Sequence, residues 1–260
     1  MSDLGRIVAS EHCRVMVPDP NDLFARFEYA RHLFPYVHTA ETVASRAPIL
    51  EIGFGSGFGA GYLAAHLGKV FAVDISLDAA VFARALYPEV HFGISTGDAL
   101  PFPTGVFGSV VSFQVIEHVD NPAKFLREIG RVLRPGGECF LTTPNRRFRL
   151  FPFQRPLNEY HQREYSARTL AREVGAVFPS TRVDGIVARS DLMAMELSRV
   201  SPWRRTLERI LSRVGVKRSW RPPRALEHDG GSVDVADFSI MVGRGAQGFD
   251  LLCHAVKSTS

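Results

Sequence analysis

The sequence predicts a doubly wound, mostly parallel α/β sheet, on three observations. Short apolar runs alternate with helical patterns between residues 48 and 143. Each run is apolar on both faces, as a strand covered by helices on both sides must be. The residues that bear chemistry fall just after the runs, where open α/β sheets bind their ligands. Seven strands are expected, the last two forming an antiparallel pair.

Taken in order, Asp22 to Phe34 reads as a helix, with Leu23, Phe27, Ala30 and Phe34 at helical spacing. Pro35 then opens a polar connection to the first strand, Pro48 to Ile52. Gly57 to Leu67 suits a helix, and Lys69 to Val73 a buried strand ending in Asp74. Ser76 is the expected N-cap of a helix to Leu86. Val90 to Ile94 gives a third strand, and Val106 to Phe113 a fourth after the loop marked by Pro101 and Pro103. Asn121 caps a helix with Pro122 in its first position. Arg134-Pro135-Gly136-Gly137 stops that helix, and Glu138 to Thr143 is the fifth strand. Beyond Pro144 the pattern weakens: a loop from Arg146 to Tyr165, a helix from Ser166 to Val174, a basic stretch from Arg199 to Arg224 and a Gly-rich linker at 229–232. Asp237 to Val242 and Phe249 to Val256 close the chain, and the short Gly-containing connection between them permits a hairpin. The expected division is a helical extension at 1–46 and one domain at 47–260, with 145–232 as a substrate-side insertion or lid.

Composition is that of an ordinary globular protein with a net charge of +4. Of the 31 basic residues only 4 are Lys, an Arg excess that a GC-rich coding sequence explains more readily than anionic partners. Cys13, Cys139 and Cys253 are far apart, and no Cys/His spacing suggests zinc. Reduced thiols follow, and so does a cytoplasmic location: no leader-like segment opens the sequence, and no run approaches ~18 apolar residues.

The most informative segment is Ile49-Leu50-Glu51-Ile52-Gly53-Phe54-Gly55-Ser56-Gly57-Phe58-Gly59. A strand running into a glycine turn and then a helix is a nucleotide-type binding site. Glu51 disfavours an anionic pyrophosphate and favours S-adenosylmethionine, whose sulfonium and ammonium a carboxylate attracts. Asp74 lies 74 − 53 = 21 residues after Gly53, the spacing of an acid that holds a ribose diol. Its alternative role is a helix cap, for which Ser76 is better placed. Asp98 and Ala99 are placed to meet an adenine edge, with a plain turn as the alternative reading.

Together these segments resemble the class I S-adenosylmethionine-dependent methyltransferases. The matching blocks are LEIGFGSG (50–57), VFAVDIS (70–76), GDALPFPTGVFGSVVSFQVIEHV (97–119) and LREIGRVLRPGGECFLTTPN (126–145). The resemblance implies that Glu51, Gly53, Gly55 and Gly57 surround the methionyl part of the cofactor. It implies that Asp74 holds the ribose, Ile75 packs on adenine, Asp98 and Ala99 bind its edge, and Gln114 lines the pocket. The Rossmann-like methyltransferase fold also ends in an antiparallel strand pair. A narrower likeness is to the methyltransferase type 11 kind that serves polysaccharide and natural-product pathways. It rests on Arg26 to Ala30 and on Asn158 to Tyr165, where such proteins read N-P-x-H-x-x-E and an aromatic; Glu159 stands at their proline.

Methyl transfer needs acceptor, methyl and sulfur in line, and a hydroxyl acceptor benefits from a base near neutral pH. His161 and His118 are the candidates, each with a structural alternative in holding its own turn. Gln114 to His118 is similar to the E-x-x-E-H segment of quinone-ring O-methyltransferases, where it can bind a divalent ion. Gln in the first position is a poor ligand for a hard cation, so no metal is expected. The Asn/Asp-Pro-Pro-aromatic signature of amino-group enzymes is absent here, which favours oxygen acceptors and leaves carbon open. Trp203, Leu207, Ile210, Leu211 and Val214 form a helical stripe edged by Arg, able to touch an anionic membrane surface through 199–224 or simply to pack on the core. The expected function is therefore O-methylation of a small-molecule, natural-product or glycan acceptor, with no nucleic-acid partner. The alternatives are an NAD(P)-dependent oxidoreductase, since Gly55 to Ala60 fits G-x-G-x-x-A, and a catalytically silent cofactor-binding partner subunit.

Overall fold

The computed structural model describes residues 22–44, 48–150, 156, 158, 160–200, 233–243 and 247–259. Cys13, Glu159, the apolar stripe from Trp203 to Val214 and the Gly-rich linker lie outside them. The elements are α1 (Leu23–Thr42), β1 (Ile49–Ile52), α2 (Phe58–Leu67), β2 (Val70–Asp74), α3 (Leu77–Leu86), β3 (His91–Ile94) and β4 (Phe107–Phe113). After these come α4 (Pro122–Val132), β5 (Leu133–Pro144), α5 (Arg146–Arg149), α6 (Ala167–Gly175), β6 (Ser180–Ala188), α7 (Ser190–Val200), β7 (Phe238–Met241) and β8 (Asp250–Val256).

The helices begin where side chains satisfy their first N–H groups. Ser76 Oγ accepts from Ala79 N at 3.2 Å, and Asn121 Oδ1 accepts from Lys124 N at 3.0 Å with Pro122 just inside. One expectation failed at Pro35, which lies inside α1 instead of ending it. Losing a helical hydrogen bond there costs about 3 kcal/mol. Burial of Phe34 and Tyr36 on either side offsets it, at about 1.5–3 kcal/mol for each ring.

The strands form one eight-stranded sheet in the order β3-β2-β1-β4-β5-β8-β6-β7. Strands β1 to β5 are parallel; β8 is antiparallel to β5 and to β6, and β7 is antiparallel to β6. The α/β class and the late antiparallel strands thus match the expectation. Two details differ: the described residues form eight strands, not seven, and β7 and β8 do not pair with each other because β6 lies between them. The alternation of strand residues builds two cores, one on each face. Leu50, Ile52, Val110 and Leu141 face α4 and α6 through Phe125, Ile129 and Leu170. Ile49, Val111 and Phe140 face α2 and α3 through Leu63 and Phe82.

A third cluster packs Phe27 and Phe34 of α1 against Leu192, Phe238 and Phe249. Arg31 pins the same helix. Its guanidinium forks onto Asp250 at 2.7 and 2.6 Å, reaches Glu196 at 3.2 Å and lies 5.0 Å from the Phe249 ring centroid. The long α1 is thereby fixed over the carboxyl end of β5 and the amino end of β8, where Pro144 and Asp250 are paired.

Candidate functional site

Glu51 is fully buried, on β1 two residues before the glycine turn. Tyr36 of α1 donates to its Oε1 at 2.5 Å, while Oε2 has no hydrogen-bond partner. Burial, with the Asp74 carboxylate nearby, pushes the Glu51 carboxyl up to about 8, against the Tyr36 hydrogen bond, which holds it down. Tyr36 was not anticipated from the sequence, because no local pattern marks a contact between a helix and a strand 15 residues apart.

The turn needs its glycines for two separate reasons. Gly53, Gly55 and Gly57 have φ of 81°, 53° and 81°, the left-handed region that side chains disfavour. At Gly53 a Cβ would also meet Val115 Cγ2 at 2.4 Å. Asp74, at the end of the neighbouring strand, closes the turn. Its Oδ2 accepts from Gly55 N and its Oδ1 from Ser76 N, both at 3.0 Å. A carboxylate has about four acceptor positions, so two remain for a diol. Ser95 N donates to the Asp74 carbonyl at 3.0 Å, tying the loop after β3 to the same edge.

On that loop Ala99 is exposed and Asp98 pairs with Lys124 at 3.1 Å. The Thr96 hydroxyl and Lys124 hold the Asp98 carboxyl below the usual range. Ile75 is an apolar side chain, 65% exposed beside Asp74. Gln114 follows β4 with φ of 58°, the only non-glycine in the left-handed region among the described residues. Such strain is kept where a site needs it. Its N–H is held by the Thr142 carbonyl at 2.9 Å and its amide donates to Thr142 Oγ1 at 3.3 Å.

The two histidines named from sequence come together. His118 and His161 have ring centroids 4.7 Å apart at 86°. His161 Nδ1 lies 3.0 Å from Glu164 Oε1, and His118 Nδ1 lies 3.1 Å from the Tyr160 carbonyl. Beneath them Glu117 is buried, accepting from Thr143 Oγ1 at 2.9 Å, and burial pushes its carboxyl up to about 8. Glu117 and Glu164 were missed as site residues, although both stood in quoted motifs: one beside His118, the other three residues after His161. One ligand atom from each of Glu117, His118 and His161 lies within 4.8 Å of the other two. The arrangement offers a carboxylate-edged cradle under the glycine turn and, one strand further on, a His/Glu cluster suited to proton or cation chemistry.

Comparison with known proteins fits this geometry. Residues 50–141 match a family model described as a methyltransferase domain. A probable S-adenosylmethionine-dependent methyltransferase of Mycolicibacterium smegmatis is 38% identical over 142 residues, 55% of each chain. A ubiquinone biosynthesis O-methyltransferase of Caulobacter vibrioides is 36% identical over 114 residues, 40% of this chain and 45% of that one. The chain spans about half the length of the curated relatives it matches. Among solved structures, a possible histamine N-methyltransferase from Thermotoga maritima covers 89% of this chain and 92% of its own at 18% identity, with a TM-score of 0.57, a likeness of fold. With the glycine turn, the acids at the ends of β1 and β2 and the matched residues in agreement, residues 50–141 of this chain are similar to the methyltransferase domain of S-adenosylmethionine-dependent methyltransferases.

Proposed function

We propose that the protein transfers a methyl group from S-adenosylmethionine to a hydroxyl oxygen of a small-molecule, natural-product or glycan acceptor. In this reading Glu51 faces the donor's ammonium, Gly53, Gly55 and Gly57 admit its methionyl part, and Asp74 takes the ribose diol. Ile75 covers adenine, Asp98 and Ala99 meet its edge, and Gln114 borders the methyl. The observation that carries the oxygen acceptor is the pairing of His118 with His161, the latter backed by Glu164. A hydroxyl must lose its proton during transfer, and this cluster serves that need by taking the proton on an imidazole or by holding a cation that lowers the hydroxyl's pKa. Reacting atoms balance simply: the methyl–sulfur bond breaks as the methyl–oxygen bond forms, giving a methyl ether and S-adenosylhomocysteine. Residues 145–232 would then cover the acceptor within a domain at 47–260, and the free thiols Cys139 and Cys253 suit the cytoplasm.

Calorimetry with S-adenosylhomocysteine and with NAD(H), followed by transfer of labelled methyl to a hydroxyl panel, tests the reading. Roughly micromolar binding of the first, no heat from the second and label on oxygen are expected. Binding of NAD(H) alone, or label only on carbon or nitrogen, would overturn it.

A further inference from the structure

We propose that Glu117, His118 and His161 form a binding site for a divalent transition cation with the ligand preferences of Zn²⁺. The donor set is one carboxylate oxygen and two imidazole nitrogens, which suits Zn²⁺, Co²⁺ or Fe²⁺ and not the all-oxygen shells of Mg²⁺ and Ca²⁺. All three ligand atoms lie within 4.8 Å of one another. Ligands ~2.1 Å from one ion sit roughly 3–3.5 Å apart, so binding draws them in by roughly an ångström.

The surroundings have the form that metal sites require. A ligating histidine usually gives its other ring N–H to a carboxylate or a carbonyl, which fixes the tautomer and leaves the second nitrogen to the ion. Glu164 Oε1 stands at 3.0 Å from His161 Nδ1, and the Tyr160 carbonyl at 3.1 Å from His118 Nδ1. Glu117 is aimed by Thr143, and its Oε1 is buried with no hydrogen-bond partner. Its own carbonyl receives Gln162 N at 2.9 Å and Arg163 N at 3.3 Å, so the loop carrying His161 is bolted to the residue that supplies the carboxylate. Arg163 turns its guanidinium to the carbonyls of Val119 and Asp120. Among the described residues, no Lys or Arg forms an ion pair with Glu117 or Glu164. Both carboxylates are buried, and a dication at this cluster would supply the positive charge that no Lys or Arg provides among the described residues. Gln114 is not in the set: its amide is spent on Thr142, and the third ligand comes instead from a loop beyond β5.

The use of this ion in catalysis rests on the methyl-transfer reading: a cation here would lower the pKa of an acceptor hydroxyl. The site itself is tested without donor or acceptor. Untagged protein, stripped with chelator and checked by circular dichroism, is titrated with Co²⁺ while the visible d–d absorption is followed. One equivalent of Co²⁺ giving saturable bands that Zn²⁺ displaces is expected. His118→Ala and His161→Ala should abolish the bands, and Glu164→Gln should weaken binding by about 10–100-fold. His66→Ala, on the outer face of α2, should leave them unchanged. Absence of saturable bands in folded protein, or bands that survive loss of both site histidines, would overturn the proposal. S-adenosylhomocysteine binding on the same samples separates the two claims. If it persists without Co²⁺ binding, only the metal site falls; if it is missing while Co²⁺ binds, only the methyl-transfer reading falls.

Discussion

Replacing Glu51 by Gln should make the protein weaker at its task and more stable at neutral pH. Glu51 is wholly buried with one oxygen unpartnered, and its carboxyl is pushed up to about 8, desolvation being the largest cause. An acid of ordinary pKa near 4.5 when unfolded therefore keeps its proton in the folded state until much higher pH. The folded state binds the extra proton, so this group's contribution to stability is fully present below about pH 4.5. It is lost progressively as pH rises to about 8. The slope is ~1.4 kcal/mol per pH unit, so between about pH 5.5 and about pH 7.5 wild type loses ~3 kcal/mol that E51Q keeps. Gln retains an acceptor for the Tyr36 hydroxyl, so the swap isolates the ionisation. Urea unfolding of both proteins at the two pH values reads the difference directly. A stability gap between the two that stays the same within ~0.5 kcal/mol would refute the reasoning. On the binding side, a cationic ammonium favours the ionised form, so donor affinity in wild type should climb with pH towards about 8 while E51Q binds weakly and without that dependence.

Three further outcomes are expected. Gly53→Ala meets both a left-handed backbone and Val115, and should cost about 1–3 kcal/mol in a urea melt and weaken S-adenosylhomocysteine binding at least about tenfold. Asp74→Asn leaves the N–H of Gly55 or Ser76 short of an acceptor; a loss of about 1–2 kcal/mol of stability should accompany a larger loss of cofactor affinity by calorimetry. Arg31→Ala strands Asp250 in the interior, while Glu196 keeps Arg199, so a drop of about 3–5 kcal/mol in unfolding free energy is expected.

The parallel half of the fold was legible because its signals are local. Ser76, Asn121-Pro122 and the glycine turn each act within four residues, and strands buried on both faces announce themselves by being mainly apolar. Strand β6 gave no such signal. Arg182 and Asp184 pair with each other within it, Gly185 follows, and only its middle is buried, so neither a period of two nor an apolar run emerges. Missing β6 also turned β7 and β8 into neighbours on paper. Among the candidate site residues, Glu51 and the two histidines stand out by residue type and position alone. The hydroxyl that meets Glu51, the carboxylate behind His161 and the shift of the Glu51 carboxyl all arise from chain segments brought together by folding, and desolvation has no sequence pattern.

The position of β8 has a consequence for how the chain is made. This strand is hydrogen-bonded along both sides, to β5 and to β6, yet it is the last of the three to be synthesised. Until residues 250–256 leave the ribosome, the nascent sheet exists as two fragments, each with a raw inner edge open to foreign strands. The protein is in this sense completed from within, by a keystone. Chains interrupted before residue 250 should partition into aggregates or onto chaperones even though every residue of the glycine turn is present, an outcome that fractionation of truncated products would reveal.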